Sequence, residues 1–436
     1  MYLAARAAKR LPKDPSLAFC YDMLNKVSRS FAIVIQQLPV ELRNAICVFY
    51  LVLRALDTVE DDMALADRVK LPALRRFHEK IYDRGYTILC GDGNYRVLME
   101  KLPIVVDAFL ALDDKYQEVI ADITRRMGEG MAEFIPKEVK TKAEYDLYCH
   151  YVAGLVGIGL SNLFASCGLE KAEFAEMDEL SNHMGLFLQK TNIIRDYLED
   201  ITEEPAPRMF WPKEIWGKYA HELEDFQAPE RRESAVACLN HMVTDALQHA
   251  VHSLEYMAHL QHKWVFRFCA IPQIMAIGTL ANCYNNGRVF EGVVKLRRGQ
   301  TAKLMVEMEA FPDLLQGFLA FAGDIAAEVN PRVDPNAQAT LQVLDEIEDR
   351  CRVLLREAGL RPPADGGEGP PPVLARLALW LLFAGYAAYA FSLQSLRLSM
   401  GTNPAGGDPL FDRVQQVLAV LLLAIVTFIA VTGRRI

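Results

Sequence analysis

The sequence predicts an all-α protein with a helical body, residues 1–358, and a membrane-anchored C-terminal region. Apolar residues recur at i, i+3 and i+4 through most of the body, which is the spacing of one buried helix face. The sequence shows no run of alternating polar and apolar residues of strand length, and no glycine-rich dinucleotide fingerprint. A proline- and glycine-rich stretch then separates the body from two long charge-free segments.

Six stretches of the body carry the helical spacing most clearly. They are residues 42–62, 101–131, 143–166, 171–200, 231–261 and 336–357. Each is long enough for at least four helical turns. We therefore expect the body to be one all-α domain.

Residues 359–372 hold five prolines and four glycines, a composition that cannot continue a helix and predicts a linker. In the following region, 373–436, the segments 377–396 and 414–433 are free of charge, and each has about the 20 residues that a membrane-spanning helix needs. Two other charge-free windows, 150–169 and 268–287, contain His, Asn, Gln and Gly. We predict that these two are buried helices of the body.

Composition narrows the class of function. The net charge is −9 and no long basic run occurs, so nucleic acid is not an expected partner. The nine cysteines are scattered without a Cys-x-x-Cys pair, which indicates neither a disulfide framework nor a zinc site. This cysteine usage is typical of a reducing compartment.

The motif Asp-x-x-Glu-Asp occurs twice, at residues 57–61 and 196–200, 139 positions apart (196 minus 57). In a helix the three carboxylates of each copy share one face, where like charges repel by roughly 3–4 kcal/mol per pair before relaxation. A single copy is usually a solvated helix face. Two copies, each continuous with an apolar helix, favour a site that holds cations.

Mg²⁺ takes oxygen ligands, often one or two carboxylates together with substrate phosphates. Two acidic helices that face each other can hold several Mg²⁺ ions around one diphosphate, which makes the diphosphate a better leaving group. The flanking residues fit this chemistry. Arg54 precedes the first motif, Arg195 precedes the second, and Gln189 and Asn192 share the helix face of the second motif.

A carbocation formed in this way needs a dry pocket. Gly154, Gly157 and Gly159 each cost a helix about 1 kcal/mol relative to Ala, and they let another helix or a long ligand approach closely. Tyr151 in the same stretch is either a cation stabiliser or proton acceptor, or a satisfied core tyrosine.

Seven stretches in order resemble one known family. They are SRSF (28–31), FYLVLRALDTVEDDM (49–63), YCHYVAGLVGIGLSNLF (148–164), QKTNIIRDYLED (189–200), FWPKEIW (210–216), FRFCAIPQIMAIGTLANCYNN (266–286) and VVKLRRGQ (293–300). On these residues the sequence resembles the squalene synthase (farnesyl-diphosphate farnesyltransferase) family, and in particular its plant and green-algal branch.

The resemblance implies the class I isoprenoid synthase fold, in which antiparallel helices surround a central cavity. It also implies a two-step reaction with Mg²⁺ and NADPH as cofactors. Two molecules of farnesyl diphosphate condense head to head into presqualene diphosphate, which then ionises, rearranges and takes up hydride from NADPH to give squalene.

The resemblance further implies roles for individual residues. The Mg²⁺ ligands are expected to be Asp57, Glu60, Asp61, Asp196 and Asp200. Tyr151 is the expected acid–base group and Phe268 a further catalytic residue. The residues expected to bind diphosphate or nucleotide phosphate are Arg29, Arg54, Arg195 and Arg208, with Lys295 and Arg297 holding NADPH. The remaining substrate contacts are expected from Ser28, Phe31, Tyr50, Leu163, Gln189 and Asn192.

From composition alone, Lys295 and Arg297 belong to a basic patch that is equally a solvated loop. If both tail segments span, the basic residues at 376 and at 434 and 435 lie on the body's side of the membrane, in accord with the positive-inside rule. We therefore expect a monomeric catalytic domain facing the cytosol on the endoplasmic reticulum membrane. This location suits an amphiphilic substrate and a hydrocarbon product.

Three functions remain open at this point. The first is squalene synthesis. The second is a related head-to-head prenyl synthase that stops at presqualene diphosphate or makes another hydrocarbon. The third is a catalytically inactive membrane scaffold, which would have little reason to keep the repulsion within two intact acidic motifs.

Overall fold

The structure is a computed structural model that describes residues 12–204 and 207–359. By its internal contacts the chain divides into two units, Met1–Pro362 and Pro363–Ile436, and all described residues lie in the first. The predicted anchor with its spans 377–396 and 414–433 lies outside the described residues, as does almost all of the predicted linker.

The described residues contain no β-strand, which confirms the all-α prediction. The helices are α1 (Pro15–Val27), α2 (Arg29–Ile35), α3 (Val40–Asp61), α4 (Asp67–Lys80), α5 (Gly93–Glu100), α6 (Leu102–Leu110), α7 (Asp114–Phe134), α8 (Lys142–Cys149), α9 (Leu155–Ser166), α10 (Asp178–Arg195), α11 (Tyr197–Ile201), α12 (Lys213–Trp216), α13 (Arg232–Leu247), α14 (Ala250–His259), α15 (Lys263–Cys283), α16 (Arg298–Glu307), α17 (Phe311–Glu328) and α18 (Ala337–Glu357). Four short 3₁₀ turns lie between them, at Ala172–Glu176, Leu223–Gln227, Pro229–Arg231 and Gly287–Phe290.

Three of the predicted long helices are divided in the structure. The stretch 101–131 breaks between α6 and α7, where Asp113 adopts an extended conformation. The stretch 231–261 breaks between α13 and α14. The stretch 171–200 begins as a 3₁₀ turn and is interrupted at Asp196. Apolar periodicity detects the common buried face, and a break of one to three residues leaves most of that periodicity intact.

The first acidic motif forms the last turn of α3. The helix ends because Asp62 leaves the helical conformation and its side chain accepts hydrogen bonds from the backbone of Ala64 and Leu65. A helix C-terminus carries partial negative charge, so carboxylates in this turn are unfavourable. The position therefore adds to the mutual repulsion of Asp57, Glu60 and Asp61.

The second motif straddles the break between α10 and α11. Asp196 ends α10 and precedes α11, with φ −94° and ψ 13°. The hydrogen bonds continue across it, since the Asp196 amide donates to the Asn192 carbonyl at 2.9 Å and the Asp200 amide donates to the Asp196 carbonyl at 3.0 Å. Asn192, Asp196 and Asp200 therefore stay one above the other, as one continuous helix would place them.

The helix that contains the predicted glycines packs directly on α10. A Cβ atom at Gly157 would lie 2.2 Å from the backbone oxygen of Ser181, and one at Gly185 would lie 2.2 Å from the backbone oxygen of Ala153. Residues His150–Gly154 between α8 and α9 form a π-helical turn, a feature frequent at functional sites. The prediction that these glycines allow close approach is confirmed.

We expect Gly157→Ala to lower the melting temperature. Overpacking against a backbone carbonyl costs roughly 1–3 kcal/mol or more, which outweighs the gain of about 1 kcal/mol in helix propensity. Gly323→Ala is the matched control, because a Cβ at this exposed glycine of α17 meets nothing within 4 Å. The control should raise the melting temperature slightly, and equal behaviour of the two variants in a thermal melt would contradict the packing argument.

By length and composition, two described helical segments are apolar enough to cross a membrane, Lys142–Ser166 and Lys263–Cys283. Within the most apolar window of each, 50% and 78% of the residues are buried inside the body. This burial agrees with the prediction that the windows 150–169 and 268–287 belong to helices of the body.

Candidate active site

An apolar cavity of about 260 Å³ lies among α2, α3, α9, α10 and α15. It has a polar end, where Arg54 and Asp57 of α3 face Gln189 and Asn192 of α10. Seven of the predicted residues line it: Phe31, Tyr50, Arg54, Asp57, Gln189, Asn192 and Phe268. The Phe31 and Tyr50 rings lie 6.0 Å apart, and the Phe268 ring meets Phe164 edge-on at 6.1 Å.

A second, polar cavity of about 330 Å³ adjoins this end. Asp61 of the first motif and Asp196 and Asp200 of the second line it together with Arg208. Gln189 and Asn192 line both cavities. Two carboxylate motifs far apart in sequence thus face one space, and that space adjoins an apolar one.

Burial and repulsion shape the first motif. Burial raises the pKa of Asp57 to about 6, although Arg54 lies 3.3 Å away and opposes the shift. Burial, with Asp61 and Asp57 adding to it, raises the pKa of Glu60 to about 7. The Glu60 side chain is only 5% exposed, and its counter-ion is the Arg208 guanidinium at 2.6 Å.

The second motif shows the same pattern. Arg195 Nε donates to Asp196 Oδ1 at 2.7 Å. Burial, with Asp196 as the next cause, raises the pKa of Asp200 to about 7. A carboxylate whose charge is disfavoured in this way gains from any cation that enters the cavity.

Arg208 joins the two motifs. Its guanidinium pairs with Glu60 and Asp61, and its backbone amide donates to the Asp200 carbonyl at 3.0 Å. It also lies over the Phe210 ring, 5.6 Å from the centroid, and Phe210 stacks on Tyr148 at 3.9 Å. The position between the two motifs could not be deduced from sequence spacing, because Arg208 follows α11 in an irregular segment.

The residues around the polar cavity fit a Mg²⁺ ion that is coordinated jointly by the protein and by the phosphate oxygens of a bound ligand. Among the described residues, no three His, Cys, Asp or Glu side chains are grouped closely enough to hold a metal ion by themselves. Mg²⁺, however, is commonly bound by one or two carboxylates plus phosphate oxygens and water. Asp61, Asp196 and Asp200 around one open polar cavity provide that type of site.

The raised pKa values predict how metal and pH interact. In the metal-free protein, groups with raised pKa values stabilise the fold most at low pH, and this contribution is lost as pH rises through about 6 to 7. Ionised carboxylates are the form that binds metal, so Mg²⁺ should offset the loss. We expect Mg²⁺ with inorganic diphosphate to raise the melting temperature more at pH 8 than at pH 6. A larger increase at pH 6 would contradict this account.

Several predicted residues do not line either cavity. Tyr151 packs its ring on Gly130, and its hydroxyl donates to Glu133 Oε2 at 3.4 Å, although its neighbours Val152 and Ala153 line the apolar cavity. Leu163 is fully buried in the helical core. Glu60 and Arg195 line neither cavity, although each pairs with a residue of the polar cavity, Arg208 and Asp196 respectively. Ser28, which ends α1, and Lys295 and Arg297, which are exposed before α16, also lie outside the linings. Arg29 is the first residue of α2.

Sequence reasoning missed part of the apolar lining. The missed residues include Phe49, Leu53, Met127, Leu160, Met184, Leu188, Tyr256 and Gln273. Nothing in an apolar helix pattern separates side chains that line a cavity from side chains that fill the core. Glu203 lines the polar cavity and follows the second motif, and it was not among the residues predicted from the sequence.

A family model described as squalene/phytoene synthase matches residues 24–300. The chain belongs to the squalene/phytoene synthase family. It is 58% identical over 405 residues to squalene synthase LSS of Botryococcus braunii, covering 92% of this chain and 87% of that protein. It is 58% identical over 351 residues to a squalene synthase of Solanum lycopersicum, covering 80% of this chain and 84% of that protein.

A solved complex of TcSQS with a ligand has the same fold. Its TM-score is 0.77 at 47% sequence identity, and the match covers 78% of this chain and 100% of that chain. These similarities confirm the prediction of the isoprenoid synthase fold and of a farnesyl-diphosphate farnesyltransferase of the plant and algal squalene synthase type. Lycopaoctaene synthase of Botryococcus braunii is also similar, with 50% identity over 410 residues, 93% of this chain and 91% of that protein.

Proposed function

We propose that the protein is a squalene synthase. It condenses two molecules of farnesyl diphosphate into presqualene diphosphate, and then converts this intermediate to squalene with NADPH. The observation that carries the proposal is that two cavities, one lined by both acidic motifs and the other by apolar side chains, adjoin at Gln189 and Asn192. This arrangement suits a substrate with a diphosphate at one end and a hydrocarbon chain at the other.

The polar cavity would bind the diphosphate. Asp57, Glu60, Asp61, Asp196 and Asp200 would hold Mg²⁺, which when bound neutralises charge on a diphosphate leaving group. Arg54, Arg195 and Arg208 already pair with these carboxylates, so their guanidinium groups are in place to contact phosphate oxygens as well.

The apolar cavity would hold the hydrocarbon chain and exclude water from the carbocation. Phe31, Tyr50 and Phe268 present aromatic rings, whose faces are electron-rich and stabilise positive charge. Tyr151 remains the proposed acid–base group. Tyr151 immediately precedes Val152, which lines this cavity.

The proposed NADPH contacts are Lys295 and Arg297. Both side chains are exposed and basic, which suits nucleotide phosphates. Leu296 between them is buried against Gly278 of α15. Phe268 of the same helix lines the apolar cavity. The loop that would hold the nucleotide therefore packs against a helix that helps to form the site.

A second candidate function is the synthesis of another hydrocarbon by the same head-to-head condensation. The similarity to a lycopaoctaene synthase over 93% of this chain favours keeping this candidate. The two functions share the acidic motifs and differ in the prenyl chain and product, so only a product analysis separates them.

We further propose that the protein works at a membrane of the endoplasmic reticulum, with its body in the cytosol and its catalytic domain monomeric. The plant squalene synthases among its relatives and the two charge-free C-terminal segments support this location.

The test is a product analysis of the full chain in detergent. The enzyme would be incubated with farnesyl diphosphate and Mg²⁺, with and without NADPH, and the extracts analysed by gas chromatography–mass spectrometry after dephosphorylation. We expect squalene only with NADPH and presqualene alcohol without it. Presqualene alcohol under both conditions would limit the function to the first half-reaction. Product only from a longer prenyl diphosphate would favour the second candidate.

A further inference from the structure

One buried polar group in the apolar cavity has an unused acceptor. Gln273 of α15 is 1% exposed and lines this cavity. Its Nε2 donates to the Met184 backbone oxygen at 3.0 Å, which fixes the orientation of the amide. Among the described residues, its Oε1 has no hydrogen-bond partner.

The other deep polar groups of this cavity are satisfied. Ser181 and Tyr256 line it, and Ser161 Oγ lies 2.7 Å from both Ser181 Oγ and the Tyr256 hydroxyl, so each of these hydroxyls has a partner. A buried acceptor left without a donor destabilises the fold, and native proteins keep few of them. The free oxygen of Gln273 is therefore available to a positively polarised group that enters the cavity.

The position of Gln273 indicates which step it serves. Its anchor, Met184, lies five residues from Gln189 and eight from Asn192 on α10, which is about 8 to 12 Å along the helix axis. Gln273 is therefore set back from the polar end, where a diphosphate itself would balance the charge of an allylic cation. It lies instead among apolar side chains, on the same helix as Phe268.

We propose that Gln273 is a catalytic residue of the second half-reaction, whose free side-chain oxygen stabilises the rearranging carbocation. This inference rests on the proposed function. The carbon–oxygen bond of presqualene diphosphate breaks with both electrons leaving on diphosphate, and hydride from NADPH later neutralises the carbon cation, giving squalene and NADP⁺. The oxygen of Gln273 forms no covalent bond. It is a preorganised dipole directed at positive charge in a medium without water.

Three variants of the full chain test this role. Gln273→Met removes the oxygen and keeps the length of the side chain. Gln273→Glu keeps an oxygen, because a carboxyl buried here is held neutral and can donate its O–H to Met184 while its carbonyl stays free. Thr279→Val is the matched control on the same helix, since Thr279 is buried and bonded to the Met275 oxygen but does not line the cavity.

We expect Gln273→Met to form presqualene diphosphate at a rate within about twofold of the parent. Its conversion of presqualene diphosphate to squalene should fall about ten- to a hundredfold, with rearranged alcohols increasing and KM for NADPH unchanged. Gln273→Glu should recover most of the squalene, and Thr279→Val should match the parent in both half-reactions. The readout is the ratio of the rates of the two half-reactions in each variant. A merely structural role would lower both rates and leave this ratio unchanged.

Equal losses in both half-reactions would overturn the inference, and so would a raised KM for NADPH with an unchanged product ratio. Squalene formation by Gln273→Met at the parent's rate would overturn it as well and leave the proposed function intact. A parent enzyme that makes no squalene would instead overturn the proposed function, and this inference with it.

Discussion

Replacing Asp57 or Asp196 by alanine is expected to abolish turnover while the helical circular dichroism signal stays unchanged. Each change removes a proposed Mg²⁺ ligand from the polar end of the site, and with it part of the binding of the diphosphate. The melting temperature of Asp57→Ala should be unchanged or slightly higher, because the raised pKa of about 6 shows that the fold disfavours the ionised form.

The matched control is Glu118→Gln, which removes an exposed carboxylate of α7 from the outside of the body. It should keep full activity in the same assay for squalene and presqualene alcohol. If Asp57→Ala or Asp196→Ala unfolds the protein instead, the acidic motifs are structural and the metal interpretation is wrong.

Arg208→Met is expected to lower both stability and activity strongly. The change leaves Glu60, which is only 5% exposed, without its counter-ion at 2.6 Å. An unpaired buried charge destabilises a fold by roughly 3 kcal/mol or more, although protonation of Glu60, whose pKa is already about 7, limits the loss. Activity should fall further than stability explains, since the guanidinium is also a proposed phosphate contact.

A second substitution separates the two effects. In Arg208→Met with Glu60→Gln the buried charge is gone, so most of the lost melting temperature should return, while activity should not. Thermal melts and product assays of the two single variants and the double variant form the cycle. Stability that stays low in the double variant would show that Arg208 supports the fold through other contacts, for example with Phe210.

The sequence was most informative about features that depend on interactions between residues a few positions apart. Amphipathic spacing located the helices of the body, and the doubled acidic motif was recognisable because repulsion at i, i+3 and i+4 is costly without a cation. The same reasoning placed the ends of long helices poorly. The interruption at Asp196 leaves the apolar face and the hydrogen-bond ladder nearly unchanged, so no periodic signal reports it.

The role of single residues depended on distant partners. Arg208 lies 147 positions from Asp61 in sequence and yet pairs with it. Tyr151 has a conspicuous sequence context, but its hydroxyl reaches Glu133 rather than a cavity. Gln273 is one of many polar residues in apolar helices, and only the absence of a partner for its oxygen among the described residues sets it apart.

By itself, the sequence determined an all-α fold, two acidic motifs and the apolar helices between them. It could do so because helix periodicity and charge repulsion act over a few residues. Only the tertiary structure decided that both motifs face one cavity, that this cavity adjoins an apolar one, and which buried groups of the described residues lack a partner. Those properties arise from how α3, α10 and α15 pack, and contacts between helices far apart in the chain leave no local pattern to read.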